Sequence, residues 1–196
     1  MRLVVSDFMS LDGVVQAPGG VEEDTEGGFR HGSWSMPYFD PEAMGATIGT
    51  AMASTEALLF GRRTYLTMAG AWPDRAGDVF ADRMNEITKY VASRTLRASD
   101  VTWSNTTLLP ADTALDEVRR LKAAEGGDIQ VMGSAALARA LIAEGLVDEY
   151  LLMIEPILLG GGKRLFPDDG QARPLRLVST TTASTGVVIC TYRPAG

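Results

Sequence analysis

Short apolar runs alternate with segments of helical period along nearly the whole chain, and this alternation restricts the fold more than any other feature. Residues 3–8, 57–60, 89–92, 129–132 and 147–154 read as strands, with a shorter one at 101–103. Between them, Met44, Ile48, Met52 and Thr55 recur at helical spacing, as do Phe80, Met84 and Ile87, and Leu115, Val118 and Leu121. Two more helices are expected over 64–69 and 134–144. Strands separated by helices pair in parallel through crossovers, and helices then cover both faces of the sheet. Residues 175–183 and 186–192 differ, because the connection at Ser184-Thr185 is too short for a crossover and dictates an antiparallel pair. The expected architecture is therefore α/β and three-layered, with a mostly parallel central sheet and an antiparallel C-terminal hairpin.

Local signals agree. Asp40-Pro41-Glu42 combines an N-cap acid, a first-position proline and a first-turn acid. Asp112 or Thr113 caps a later helix, on which Asp116 can pair with Arg119 and Arg120, and Gly126-Gly127 ends it. Residues 16–36, "QAPGGVEEDTEGGFRHGSWSM", have no period and many turn residues, so they read as an inserted loop. Its acids from Glu22 to Glu26 suit either a solvated surface or a lid pivoting on Gly19, Gly20, Gly27 and Gly28. No repeat or linker divides the 196 residues, and a single domain over 1–196 is expected.

Charge and cysteine count exclude several roles. A formal net charge of −7 argues against general nucleic-acid binding, which needs a basic face. The one cysteine, Cys190, lies in an apolar run and reads as a core thiol; no intramolecular disulfide can form, which suits a cytoplasmic protein. With His31 the only histidine, no metal site of the usual His/Cys kind is expected. No run is long enough to span a bilayer, and "MRLVVSDFMS" lacks a signal-peptide pattern.

In an open α/β sheet, ligands lie beyond the carboxyl ends of the strands. Three expected strand ends carry groups suited to phosphate. In "LLFGRRT", Gly61 lets the backbone turn, Arg62 and Arg63 offer forked donors, and Thr64 can cap a helix whose N-terminus attracts anions. In "KYVASRTL", Ser93, Arg94 and Thr95 add hydroxyls and a guanidinium. In "IQVMGSAAL", Gly133 and Ser134 precede a helix whose amides at Ser134, Ala135 and Ala136 can face a pyrophosphate. Singly, these read equally as surface charge and capped helices; together, at strand ends of one sheet, they point to a phosphorylated ligand. Neither GxGxxG nor GxxxxGK[ST] occurs, which sets aside ordinary Rossmann and P-loop readings. Trp34, at the end of the loop, is either packing or an aromatic that stacks on a flat heterocycle.

The order "SLDGVV", "LLFGRRTY", "YVASRTL", "IQVMGSAAL" and "VDEYLLMIEPILLGGGKRLFP" resembles the dihydrofolate-reductase-like fold. Within it, the chain is most similar to the branch containing the reductase domain of the bifunctional riboflavin-biosynthesis deaminase/reductase. The resemblance implies an NADPH-dependent reductase, commonly a homodimer, acting on a small pterin- or pyrimidine-type heterocycle. It assigns the adenosine 2′-phosphate to Gly61, Arg62, Arg63, Thr64, Ser93, Arg94 and Thr95, and the pyrophosphate to Gly133, Ser134, Ala135 and Ala136. It puts Asp12 beside the hydride, although an ordinary Asp-Gly turn explains that residue as well. Gly161 and Lys163 fall at the substrate rim. One departure stands out: the helix after Asp40 lacks the pterin-gripping carboxylate of true dihydrofolate reductases. Proton management then falls to Asp12 first, Asp40 second, or an ordered water. A non-catalytic module that binds NADPH or a flavin as sensor or carrier is the alternative.

Overall fold

Side-chain alternation along the first strand, β1 (Arg2–Ser10), sorts the molecule into layers: Leu3, Val5 and Met9 enter one core, and Val4 and Phe8 enter another on the opposite face. The structure, a computed structural model, describes residues 1–75 and 77–196. Its other strands are β2 (Thr55–Gly61), β3 (Thr88–Ser93), β4 (Thr106–Pro110), β5 (Asp128–Met132), β6 (Glu149–Glu155), β7 (Leu175–Thr182) and β8 (Val188–Pro194). They form one sheet in the order β4-β3-β2-β5-β1-β6-β8-β7. The pairs from β4 through β6 are parallel, whereas β8 is antiparallel to both β6 and β7. Helices α1 (Ala43–Ser54), α2 (Arg62–Ala71) and α3 (Val79–Glu86) cover one face. Helices α4 (Ala114–Ala123) and α5 (Ala135–Ala143) cover the other.

Several local expectations are corrected. No strand forms at 101–103; Trp103 instead packs from a loop onto Phe60, with ring centroids 6.2 Å apart, and its amide donates to the Tyr65 hydroxyl at 3.1 Å. The fourth strand lies just beyond, at Thr106–Pro110. The second helix begins at Arg62 rather than Thr64, because extended Gly61 leads straight into it as N-cap. Asp116 pairs with Arg119 at 2.7 Å, but Arg120 takes Glu117 at 2.8 Å instead. That helix ends at Ala123, before the glycine pair; Gly127 answers to crowding, since a Cβ there would sit 2.5 Å from the Ser54 carbonyl oxygen. Lys89 is fully buried: its ammonium donates to the carbonyls of Met84, Asn85 and Ile87 at 2.7–3.1 Å, closing the end of α3.

Because the strands from β4 to β6 run the same way, Ser93, Gly61, Met132, Ser10 and Glu155 end along one edge of the sheet. Residues 16–36 cross this edge as a strap whose only regular pieces are short turns at Glu26–Gly28 and Met36–Tyr38. No helix among the described residues is long and apolar enough to cross a membrane.

Candidate functional site

A cleft of about 1630 Å³ opens over the strand ends, between them and the strap. At its centre the neighbouring strands β2 and β5 each turn directly into a helix. The Gly61 amide donates to Ser134 Oγ at 2.8 Å, which ties the two turns together. Gly133 and Ser134 both adopt left-handed conformations, with φ of 59° and 63°. At Gly133 this suits glycine alone, because a Cβ would also press on Thr64 Cγ2 at 3.3 Å. Neither α2 nor α5 has a side-chain N-cap, so the first-turn amides of both helices remain available to an anion.

Gly61, Arg62, Arg63, Thr64, Gly133, Ser134, Ala135 and Ala136 all line the cleft. Arg62 Nη1 donates to Thr95 Oγ1 at 3.0 Å, linking the ends of β2 and β3. Ser93, Arg94 and Thr95 themselves stand off the cleft lining. The Ser93 hydroxyl is committed to its own turn, where it accepts the amides of Thr95 and Leu96 at 3.1 and 3.0 Å.

The other end of the cleft is assembled from distant segments. Gln16, only 3 % exposed, donates to the carbonyls of Asp24 and Glu26 and accepts the Lys163 amide at 3.0 Å. Lys163 pairs with Asp24 and, at 2.7 Å, with Glu26, which also holds Arg63. Of the four strap acids, Asp24 and Glu26 are thus paired, Glu23 accepts the amides of Gly19 and Gly20, and Glu22 is exposed to solvent. Arg63 and Arg62 face opposite ways, one to the strap and one to β3. Trp34 is buried under the strap with its indole N–H on the Gln16 carbonyl at 2.7 Å, and it does not line the cleft. Gly161 borders a smaller adjoining cavity of about 490 Å³, while Lys163 borders both.

Neither expected proton carrier lines the cleft. Asp12 accepts Ser10 Oγ at 2.6 Å and the amides of Leu159 and Gly160 at 3.1 and 2.9 Å. Burial pushes its carboxyl up, but these bonds outweigh burial and leave its pKa below the ordinary value. Asp40 accepts Ser184 twice and the amides of Glu42 and Ala43, and the Ser184 hydroxyl leads in holding its pKa down to about 2. Both carboxylates are saturated by protein donors, and the geometry makes them loop anchors.

Two buried acids, Asp7 and Glu155, belong to no site motif read from the sequence. Asp7, at 7 % exposure, lines the cleft floor; its Oδ1 accepts the Gly133 amide at 2.9 Å and its Oδ2 has no partner. Burial pushes its pKa well above the ordinary carboxylate value. Glu155, fully buried at the end of β6, accepts Ser35 Oγ at 2.8 Å and the Met9 amide at 3.1 Å, and burial raises it to about 7.

Residues 2–189 match the RibD C-terminal domain family. An uncharacterized protein of Bacillus subtilis strain 168, YyaP, is 33% identical over 97% of this chain and 94% of its own length. Among solved structures, a putative riboflavin biosynthesis protein from Shewanella sp. PV-4 superposes with a TM-score of 0.77 at 19% identity, covering 100% of both chains. Dihydrofolate reductase from Enterococcus faecalis, complexed with NADP(H) and RAB-propyl, superposes with a TM-score of 0.61 at 15% identity, over 100% of this chain and 97% of that one. At these identities the two superpositions establish the fold: a dihydrofolate-reductase-like sheet with its antiparallel C-terminal pair.

Proposed function

Because the chain belongs to the RibD C-terminal domain family, we propose that it is an NADPH-dependent reductase of a small, flat pterin- or pyrimidine-type heterocycle. One observation carries this reading: two uncapped helix N-termini meet at adjacent strand ends, tied through Gly61 and Ser134, with Arg62 at their side. That donor set fits a dinucleotide carrying a further phosphate. Thr64 and the amides of residues 133–136 would hold the pyrophosphate, and Arg62, braced by Thr95, would hold the 2′-phosphate, with Ser93 and Arg94 flanking it. The relative bound to NADP(H) is consistent with this assignment.

The cofactor, when bound, supplies the hydride. The chain's own work is binding, orientation and exclusion of water. Phe8, Met36, Phe39, Ile48 and Met52 give the cleft an apolar wall against which a flat ring can lie. The strap closes one side through Arg63, Lys163 and their acids, so Lys163 and the Gly161 loop border the substrate rim. Asp12 and Trp34 support that rim from beneath rather than touching the ring, and Asp40 anchors the approach to α1. A small-molecule substrate and a homodimer belong to the same proposal.

One feature favours the alternative of a sensor or carrier: α1, the helix along the substrate wall, contains no acid at all. Incubation with NADPH and a panel of pterins, pyrimidines and quinones, followed by nicotinamide absorbance, separates the readings. The reductase reading expects tight NADPH binding and oxidation with at least one ring compound. Tight binding without any oxidation makes the protein a binding module, and no NADPH binding overturns both.

A further inference from the structure

We infer that Asp7 meets the bound ligand as a neutral carboxylic acid, its Oδ2–H donating to an uncharged oxygen on the nicotinamide half of the cofactor. The inference rests on the reductase reading above and adds a contact that the sequence motifs did not suggest.

Geometry comes first. Asp7 lies on the same face of β1 as Leu3, Val5 and Met9, and it reaches beneath the turn from β5 into α5. The Gly133 amide occupies Oδ1 at 2.9 Å and fixes the carboxyl plane. Oδ2 is the one buried side-chain polar atom without a partner among the described residues. Asp7 lines the cleft, so the cleft is where a partner for Oδ2 can come from. A buried polar atom left unmet is rare and calls for an explanation.

Sheet order then says which part of the ligand arrives there. Along the edge the order is β3-β2-β5-β1. Arg62 and Thr95 stand at the ends of β2 and β3, and the turn at 133–136 stands at β5. A dinucleotide anchored by its 2′-phosphate at the first position and its pyrophosphate at the second has only its nicotinamide half left when it reaches β1. The polar groups of that half are ribose hydroxyls and an amide, all uncharged.

Charge completes the picture. The Gly133 amide and the N-terminus of α5 favour an ionised Asp7. Glu23 of the strap opposes it, and no cation pairs with Asp7 among the described residues. Burial outweighs the single amide bond and holds the carboxyl protonated well beyond its usual range. An apolar, cation-free site can keep an acid neutral so that it donates a hydrogen bond. An ionised carboxylate here would instead repel the neighbouring pyrophosphate.

The test uses the full chain, NADPH as the probe, and the variants Asp7→Asn and Asp7→Leu. Difference infrared spectra, wild type minus Asp7→Asn, should show a protonated-carboxyl band at neutral pH that shifts when NADPH is added. Calorimetry should show wild-type NADPH affinity falling as pH rises, while Asp7→Asn binds tightly with a flat profile, because its amide can accept from Gly133 and donate to the ligand. Asp7→Leu should lose about tenfold in affinity; if it fails to fold, the asparagine variant and the infrared band decide. NADPH binding with the band absent or unmoved, or a pH profile unchanged in Asp7→Asn, overturns the inference alone. No NADPH binding by the wild-type protein overturns the reductase reading and this inference with it.

Discussion

The two ends of the cleft are built by opposite means. At the joined turns of β2 and β5, each group comes from a strand-to-helix turn of a few residues, and one bond between Gly61 and Ser134 joins the turns. At the rim, nearly every contact links segments far apart in the chain: Asp12 with Gly160, Gln16 with Lys163, Ser35 with Glu155, Asp40 with Ser184. The first end depends on backbone conformation and helix polarity, which persist whatever the solvent. The second depends on side-chain charge and protonation, which follow pH and salt.

That contrast can be broken at either end. The largest effect expected is at the rim. Glu155 is raised to about 7 from an ordinary value of 4.5, so the folded state holds its proton through that interval and the unfolded state does not. Stability from this site is fully present below pH 4.5 and is lost as pH rises toward about 7, on the order of 3 kcal/mol in all. Urea unfolding across this interval should show a steeper decline for wild type than for Glu155→Gln; parallel curves would remove Glu155 from the account. At the joined turns, Arg62→Ala should weaken NADPH binding about tenfold to a hundredfold and leave NADH unchanged, measured by calorimetric titration. Equal loss for both nucleotides would mean that Arg62 supports the fold and not the phosphate.

Smaller effects sharpen the comparison. Gly133→Ala forces a left-handed conformation on a residue with a Cβ and should cost about 1–2 kcal/mol of stability in denaturant unfolding, independent of pH. Ser134→Ala removes the bond between the turns and should cost about 1 kcal/mol by the same measurement. Glu26→Gln cuts a half-exposed ion pair of the strap. It should change stability by less than about 1 kcal/mol, and less still in high salt. A large, salt-insensitive loss would show that the strap is core structure and not a cover.

The same division explains what the sequence disclosed. Helix and strand periods revealed the layers, and "FGRRT" and "MGSAA" marked the two strand-to-helix turns that line the cleft, because turn chemistry is local. Even there the split between Arg62 and Arg63 was hidden, since it depends on Glu26 of the strap, 37 residues from Arg63 in the chain. The rim was hardly legible. Trp34 suits packing or stacking in the sequence and is a buried post in the fold, and Asp12 and Asp40 suit turn, cap or proton carrier until the fold supplies their donors from distant segments. Asp7 and Glu155 were passed over because an acid in a core strand has no local signature of function; only the fold shows which oxygen lacks a partner. The 101–103 segment misled for the opposite reason, as its apolar residues pack from a loop.

The central claim is that the joined turns of β2 and β5 bind a dinucleotide and that Arg62 selects its 2′-phosphate. Side-by-side calorimetric titration of the wild-type protein with NADPH and NADH tests it most directly. The account predicts a preference for NADPH of about tenfold to a hundredfold. Equal affinity for the two, or no heat of binding with either, would contradict it.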